Sequence, residues 1–140
     1  MHKNKATRII DQMMANDRFS QWLGIERLAE REGYCELRLK LREEMCNGFG
    51  IIHGGITYSL ADSALAFASN SHGKHAVSIE VSISHIKALH PGDVIIAVAE
   101  EKGHSNKLAI YEVIVRTADG ELIAVFKGMV YRKEKDWTLD

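Results

Sequence analysis

A glycine-broken loop runs straight into an alanine-rich helix that carries a single acid, and this is the part of the chain equipped for chemistry. Asn47-Gly48-Phe49-Gly50-Ile51-Ile52-His53-Gly54-Gly55 leads into Ile56-Thr57-Tyr58-Ser59-Leu60-Ala61-Asp62. Peptide N–H groups at a helix start lack internal partners and lie at the positive end of the helix dipole. They are suited to stabilising developing negative charge. A glycine there lets a substrate oxygen approach the backbone closely. Asp62 follows Gly54 by eight residues, too far along the helix to be a cap. An acid in so apolar a run reads as a placed functional group, and the combination points to chemistry on a carbonyl.

The elements around this run must position it. Residues from about Thr7 to Leu23 read as helix, with Ile9, Ile10, Met13 and Met14 on one face and a break near Asn16-Asp17-Arg18. Gly24 ends the second piece. Cys35, Leu37, Leu39 and Leu41 alternate with charged residues, as in a half-buried strand. After the loop, the central helix runs from Gly54 or Gly55 to Asn70 and stops near His72-Gly73. Four further strands are expected around Val77–Ser84, Val94–Ala99, Leu108–Val115 and Leu122–Tyr131. The fold class is therefore α+β: a five-stranded antiparallel sheet on one central helix, preceded by an N-terminal helix. Residues 1–140 form one domain with its core at about 19–132, and the charged stretch after Arg132 reads as a loose tail despite Trp137.

At about 100° per residue, Ile56, Leu60, Ala64 and Phe67 share the sheet-facing stripe of the central helix. Asp62 points the opposite way, with Tyr58, Ser59, Ala66 and Ser69. In a dimer, that second face could line a cleft against a neighbouring subunit.

Bulk properties exclude several function classes. Apolar residues make up 46% of the sequence, enough for a packed core, and the net charge of −1 argues against a nucleic-acid partner. Cys35 and Cys46 form neither a CxxC pair nor a disulfide framework, which fits a reduced cytoplasmic setting. No signal peptide or membrane span is read from the sequence. His72 and His75 form an HxxH, with His85 and His90 further on, but the spacing matches no strong metal motif, and no metal is expected.

His53-Gly54-Gly55 followed by Ser59-Leu60-Ala61-Asp62 resembles the hotdog-fold acyl-CoA thioesterases of the phenylacetate-degradation (PaaI-like) type. Trp22-Leu23-Gly24-Ile25-Glu26, Asn47-Gly48 and Gly92-Asp93 match other family positions, and the resemblance extends from about Phe19 to Tyr131. It implies hydrolysis of an acyl-CoA to a free acid and coenzyme A, with no cofactor beyond the substrate's own coenzyme A. By the same resemblance, the Gly54 N–H polarises the thioester carbonyl, with Gly55 beside it at the substrate. Asp62 is nucleophile or general base. Asn47 lies near the thioester or the attacking water, and His53 fixes the loop or touches the sulfur. Ser78 matches a strand position where some members carry a water-positioning hydroxyl. Similar proteins are homodimers paired into tetramers, with sites at the subunit interface. One departure stands out: Lys87 occupies an expected arginine position, the only proline is Pro91, and His85 replaces an apolar or aromatic residue.

Thioester hydrolysis passes through an oxyanion, and losing one donor to it typically costs about 2.7–4 kcal/mol. A desolvated Asp62 could deprotonate water or attack to form a mixed anhydride. Blander roles compete with these: His53-Gly54-Gly55 as an ordinary helix-entry turn, Asn47 as a turn cap, Ser78 as one of four alternating polar residues. At the level of the whole protein, the alternatives are a non-catalytic acyl-CoA binding module and a hotdog enoyl-CoA hydratase or dehydratase.

Overall fold

A computed structural model describes residues 3–139. Helix α1 (Lys5–Asn16) starts where the Asn4 side chain accepts the Thr7 N–H at 2.8 Å. Asp17 then caps α2 (Arg18–Leu23), which ends at Gly24 in the left-handed region. The break expected at Asn16-Asp17-Arg18 is thus a change of helix in which Asp17 begins the second.

The sheet has six strands rather than the expected five, in the order β1-β2-β4-β5-β6-β3, every pair antiparallel. These are β1 (Glu26–Arg31), β2 (Tyr34–Lys40), β3 (Lys74–His85), β4 (Val94–His104), β5 (Leu108–Thr117) and β6 (Leu122–Asp136). The additional strand is β1. Its register shifts between Arg27 and Ala29, so Leu28 is an extra residue that breaks the period-two pattern. Four of its six residues are charged, and an ion-pair chain holds Arg27 to Glu30 and to Asp11 on α1.

The second correction concerns the tail. β6 continues through the charged stretch to Asp136, which pairs with Lys74 in register and by an ion pair of 2.7 Å. The Trp137 ring lies flat on His75, with centroids 4.1 Å apart, and its Nε1–H donates to Asn70 Oδ1 at 3.0 Å. Gln12 on α1 donates to the Thr138 carbonyl.

The central helix α3 (Gly54–Asn70) lies across the sheet as the resemblance implied. Leu60, Ala61, Ala64, Leu65, Phe67 and Ala68 are buried against Leu37, Leu39, Ile95, Ala97, Val113 and Phe126. Alanines on this face let the helix approach the strands closely. Tyr58, Ser59, Asp62 and Ala66 remain half-buried on the other side. Ser69, expected there too, is buried, because α1 and the ordered tail cover that end of α3.

Candidate functional site

The loop before α3 is a tied structure. Asn47 Oδ1 accepts the Phe49 N–H at 2.9 Å and lies 3.4 Å from the Ile51 N–H, while its backbone N–H donates to the Ile51 carbonyl. Gly50 takes a positive φ of 80° to close this turn. Ile52 N–H is held by the Leu89 carbonyl and His53 N–H by Met45, each at 2.8 Å. The loop therefore delivers His53 to the N-cap of α3 in an extended conformation.

At the cap, His53 Nδ1 accepts the Gly55 N–H at 2.8 Å. With Nδ1 an acceptor, the neutral ring carries its proton on Nε2. The Gly55 N–H is thereby consumed. Among the described residues, no group of this chain accepts the Gly54 N–H. Each of the two glycines has an imidazole close against it. A β-carbon on Gly55 would meet His53 Nδ1 at 3.0 Å, and one on Gly54 would meet His85 Nε2 at 3.2 Å.

Gly54 opens into a cleft of ≈ 320 Å³ lined by Asn47, Ile51, Thr57, His85 and Lys87, among others. Asp62 opens into a different cleft of ≈ 350 Å³, whose walls include Met13, Ala66, His75, Ser78, Lys133 and Trp137. The step of eight positions from Gly54 to Asp62 corresponds to about 12 Å of helix rise. The expected residues thus fall into two groups: Asn47 with Gly54 in one cleft, Asp62 with Ser78 in the other. His53 and Gly55 are exposed at the helix start.

Asp62 makes no hydrogen bond or ion pair among the described residues. Burial raises its pKa above the ordinary carboxylate value, and the nearby Asp17 carboxylate adds to the rise. Asp17 is itself fixed, accepting from Ser20 N–H and Ser20 Oγ, and Ser20 Oγ meets Ser63 Oγ of α3 at 2.8 Å. The result is a basic, unpaired carboxylate facing a partly apolar cleft.

The HxxH is split by the fold. His72 faces Glu101 at 3.3 Å, whereas His75 stacks on Trp137. Met13, Lys133 and Trp137 were not read from the sequence as cleft residues, because two distant chain ends bring them to Asp62. The indole in an otherwise charged tail was the one visible signal.

The sequence profile of the thioesterase superfamily matches residues 49–124, more than half of the chain and the stretch that holds Gly54, Asp62, Ser78 and His85. The chain belongs to the thioesterase superfamily. Within it the chain is PaaI-like, with the hotdog fold. A relative from Archaeoglobus fulgidus is 42% identical over 93% of this chain and 84% of its own length. The acyl-coenzyme A thioesterase PaaI of Escherichia coli is 30% identical over 92% of each chain. The solved structure of the E. coli PaaI protein from the phenylacetic acid degradation operon superposes with a TM-score of 0.92, covering 96% of this thioesterase-superfamily chain and 97% of that one. In this member, no helix among the described residues is long and apolar enough to cross a membrane.

Proposed function

We propose that this protein hydrolyses acyl-CoA thioesters, and that two copies of the chain together form each site. One observation carries the reading: a free Gly54 N–H and an unpaired, half-buried Asp62 lie on one helix but face different clefts. Supporting it is the chain's likeness to a relative named as an acyl-coenzyme A thioesterase.

The Gly54 N–H polarises the thioester carbonyl from the start of α3, where the helix dipole favours an oxyanion. Asp62 of a second copy takes the proton of an attacking water, or attacks the carbonyl carbon to form a mixed anhydride that water opens. On either route the carbon–sulfur bond breaks, and coenzyme A leaves as thiolate and takes up a proton. Asn47 has committed its Oδ1 to the loop, which leaves Nδ2 to donate to the thioester or the water. Ser78, at the mouth of the Asp62 cleft, orients the water. His53 fixes the Gly55 N–H, and Gly55 gives the substrate room beside the helix.

The edge strand β3 supplies the means of joining two copies. It pairs with β6 on one side only and leaves Val77 and Ile79 exposed. A long, apolar, unpaired edge is a template for another strand. Antiparallel pairing of β3 with its own copy about a two-fold axis swaps its ends. The Ser78 end of one strand then lies towards the His85 end of the other, and the Asp62 cleft of one protomer meets the Gly54 cleft of its partner. Pairing of such dimers into a tetramer follows the family resemblance.

The test is thiol release across short, medium and aromatic acyl-CoAs, with Asp62→Asn as the control. Wild type releases coenzyme A and the variant does not. A fully active Asp62→Asn protein refutes the assignment, and coenzyme A binding without turnover across the panel favours a binding module. Subunit sharing is tested by dissociating and reannealing Asp62→Asn with an inactive Gly54 variant. Equal mixing should restore about a quarter of wild-type activity, since half of the dimers are mixed and each then holds one intact site.

A further inference from the structure

The site as described has one free peptide donor. Gly54 N–H is open, but the other two N–H groups of the motif are held, that of His53 by the Met45 carbonyl and that of Gly55 by His53 Nδ1. A tetrahedral oxyanion is commonly met by more than one donor.

His85 ends β3, where its backbone is paired with Ala124 of β6. Its ring approaches Gly54 tip first. From the place of a β-carbon on Gly54, Nε2 lies at 3.2 Å, Cε1 at 3.3 Å and Cδ2 at 3.8 Å. Among the described residues, no hydrogen bond or ion pair engages the imidazole. Of the other polar side chains of the cleft, Asn47 holds the loop through Oδ1 and keeps Nδ2 open, Lys87 is paired with Glu121, and Thr57 is buried. An unengaged ring nitrogen thus stands against Gly54, whose N–H is free, at a position where the family pattern led to an apolar or aromatic side chain.

We infer that His85 is a catalytic residue of this thioesterase: its Nε2–H and the Gly54 N–H donate together to the thioester carbonyl oxygen. The inference rests on the reading of Gly54 as oxyanion donor. His85 gives a hydrogen bond that strengthens as charge develops on oxygen; it neither forms a covalent bond nor transfers its proton.

The experiment uses the full chain and a ketone analogue of an acyl-CoA, with a methylene in place of sulfur and carbon-13 in the carbonyl. Infrared difference spectra are recorded for wild type, His85→Phe and His85→Gln, alongside kcat and KM on the cognate thioester. In wild type the bound carbonyl band shifts to lower frequency. In His85→Phe part of that shift is lost and kcat falls about 10²–10³-fold, the usual effect of removing one oxyanion donor, while KM stays within about threefold. His85→Gln places an amide nitrogen near the same point and recovers part of both. A shift and a kcat that survive intact in His85→Phe overturn the role of His85 and leave Gly54 standing. A wild-type carbonyl with no shift overturns the oxyanion reading of Gly54, and this inference with it. His85 is exposed and bears no structural hydrogen bond, and circular dichroism checks that each variant is folded.

Discussion

Leu65 on α3 presses its Cδ2 to 2.5 Å from where a β-carbon on Gly128 of β6 would stand. Gly128 is thus the point at which the helix is seated on the sheet, and the seating sets the level at which Asp62 meets its cleft. Gly128→Ala overpacks this contact with Leu65, and Phe126 is also close, at 3.3 Å. The expected cost is about 1–3 kcal/mol of stability, read by chemical denaturation. Combined with Leu65→Ala, which removes a buried side chain, the total loss should be smaller than the sum of the two single losses, because the two residues share one contact. If Gly128→Ala alone is as stable as wild type, the close seating of α3 is wrong.

Asp62 couples activity to stability with opposite signs. Its folded pKa is raised, chiefly by burial, so the folded chain binds the proton more tightly than the unfolded chain. Stability therefore falls as pH rises from the ordinary carboxylate value of 3.8 through the raised folded value, and the loss is complete above it. Asp62→Asn should accordingly melt above wild type near neutral pH, while the difference closes at pH values below 3.8. The proposed mechanism needs the ionised acid, so the acid limb of kcat should lie above the ordinary carboxylate range. Thermal melts at several pH values and a pH–rate profile check both halves. A variant that melts lower than wild type at neutral pH would contradict the unpaired, desolvated carboxylate.

Trp137 closes the Asp62 cleft from the end of the chain. Trp137→Ala removes the stack on His75, the hydrogen bond to Asn70 Oδ1 and part of a cleft wall. A loss of about 1–2 kcal/mol is expected from truncating a half-buried indole. Preference should move towards bulkier acyl groups, measured as the ratio of kcat/KM values across an acyl-CoA series. A lowered melting temperature with an unchanged series would make the indole a staple and nothing more.

That tail also shows where the sequence stops being legible. Period-two alternation marked β2 and β3, and apolar runs bounded by turns marked β4 to β6. These signals failed for β1, whose bulge at Leu28 and ion pairs to α1 replace apolar alternation, and for the end of β6, which is held by cross-strand pairing with Lys74 and by Trp137. Asp62 and Gly54 could be singled out as candidates from their local order along loop and helix, and Asn47 from the family resemblance. The second cleft wall was not, since Met13 and Trp137 are brought together only by folding. His85 was visible as an oddity of type, but its approach to Gly54 depends on the pairing of β3 with β6.

The edge of β3 gives the most direct check that the site is shared. Ile79 is 56% exposed beside the register shift between Ser78 and Glu80, on a strand with one partner in the monomer. A lysine there blocks edge pairing by charge and solvation, as natural sheet edges do. It touches neither Asp62 nor Gly54, and the exposed position leaves the fold of the single chain unaffected. Ile79→Lys should therefore shift the protein to monomer in analytical ultracentrifugation and abolish thiol release, with part of the activity returning at high protein concentration as association is forced by mass action. A stable, fully active monomer would show that Asp62 and Gly54 work within one chain.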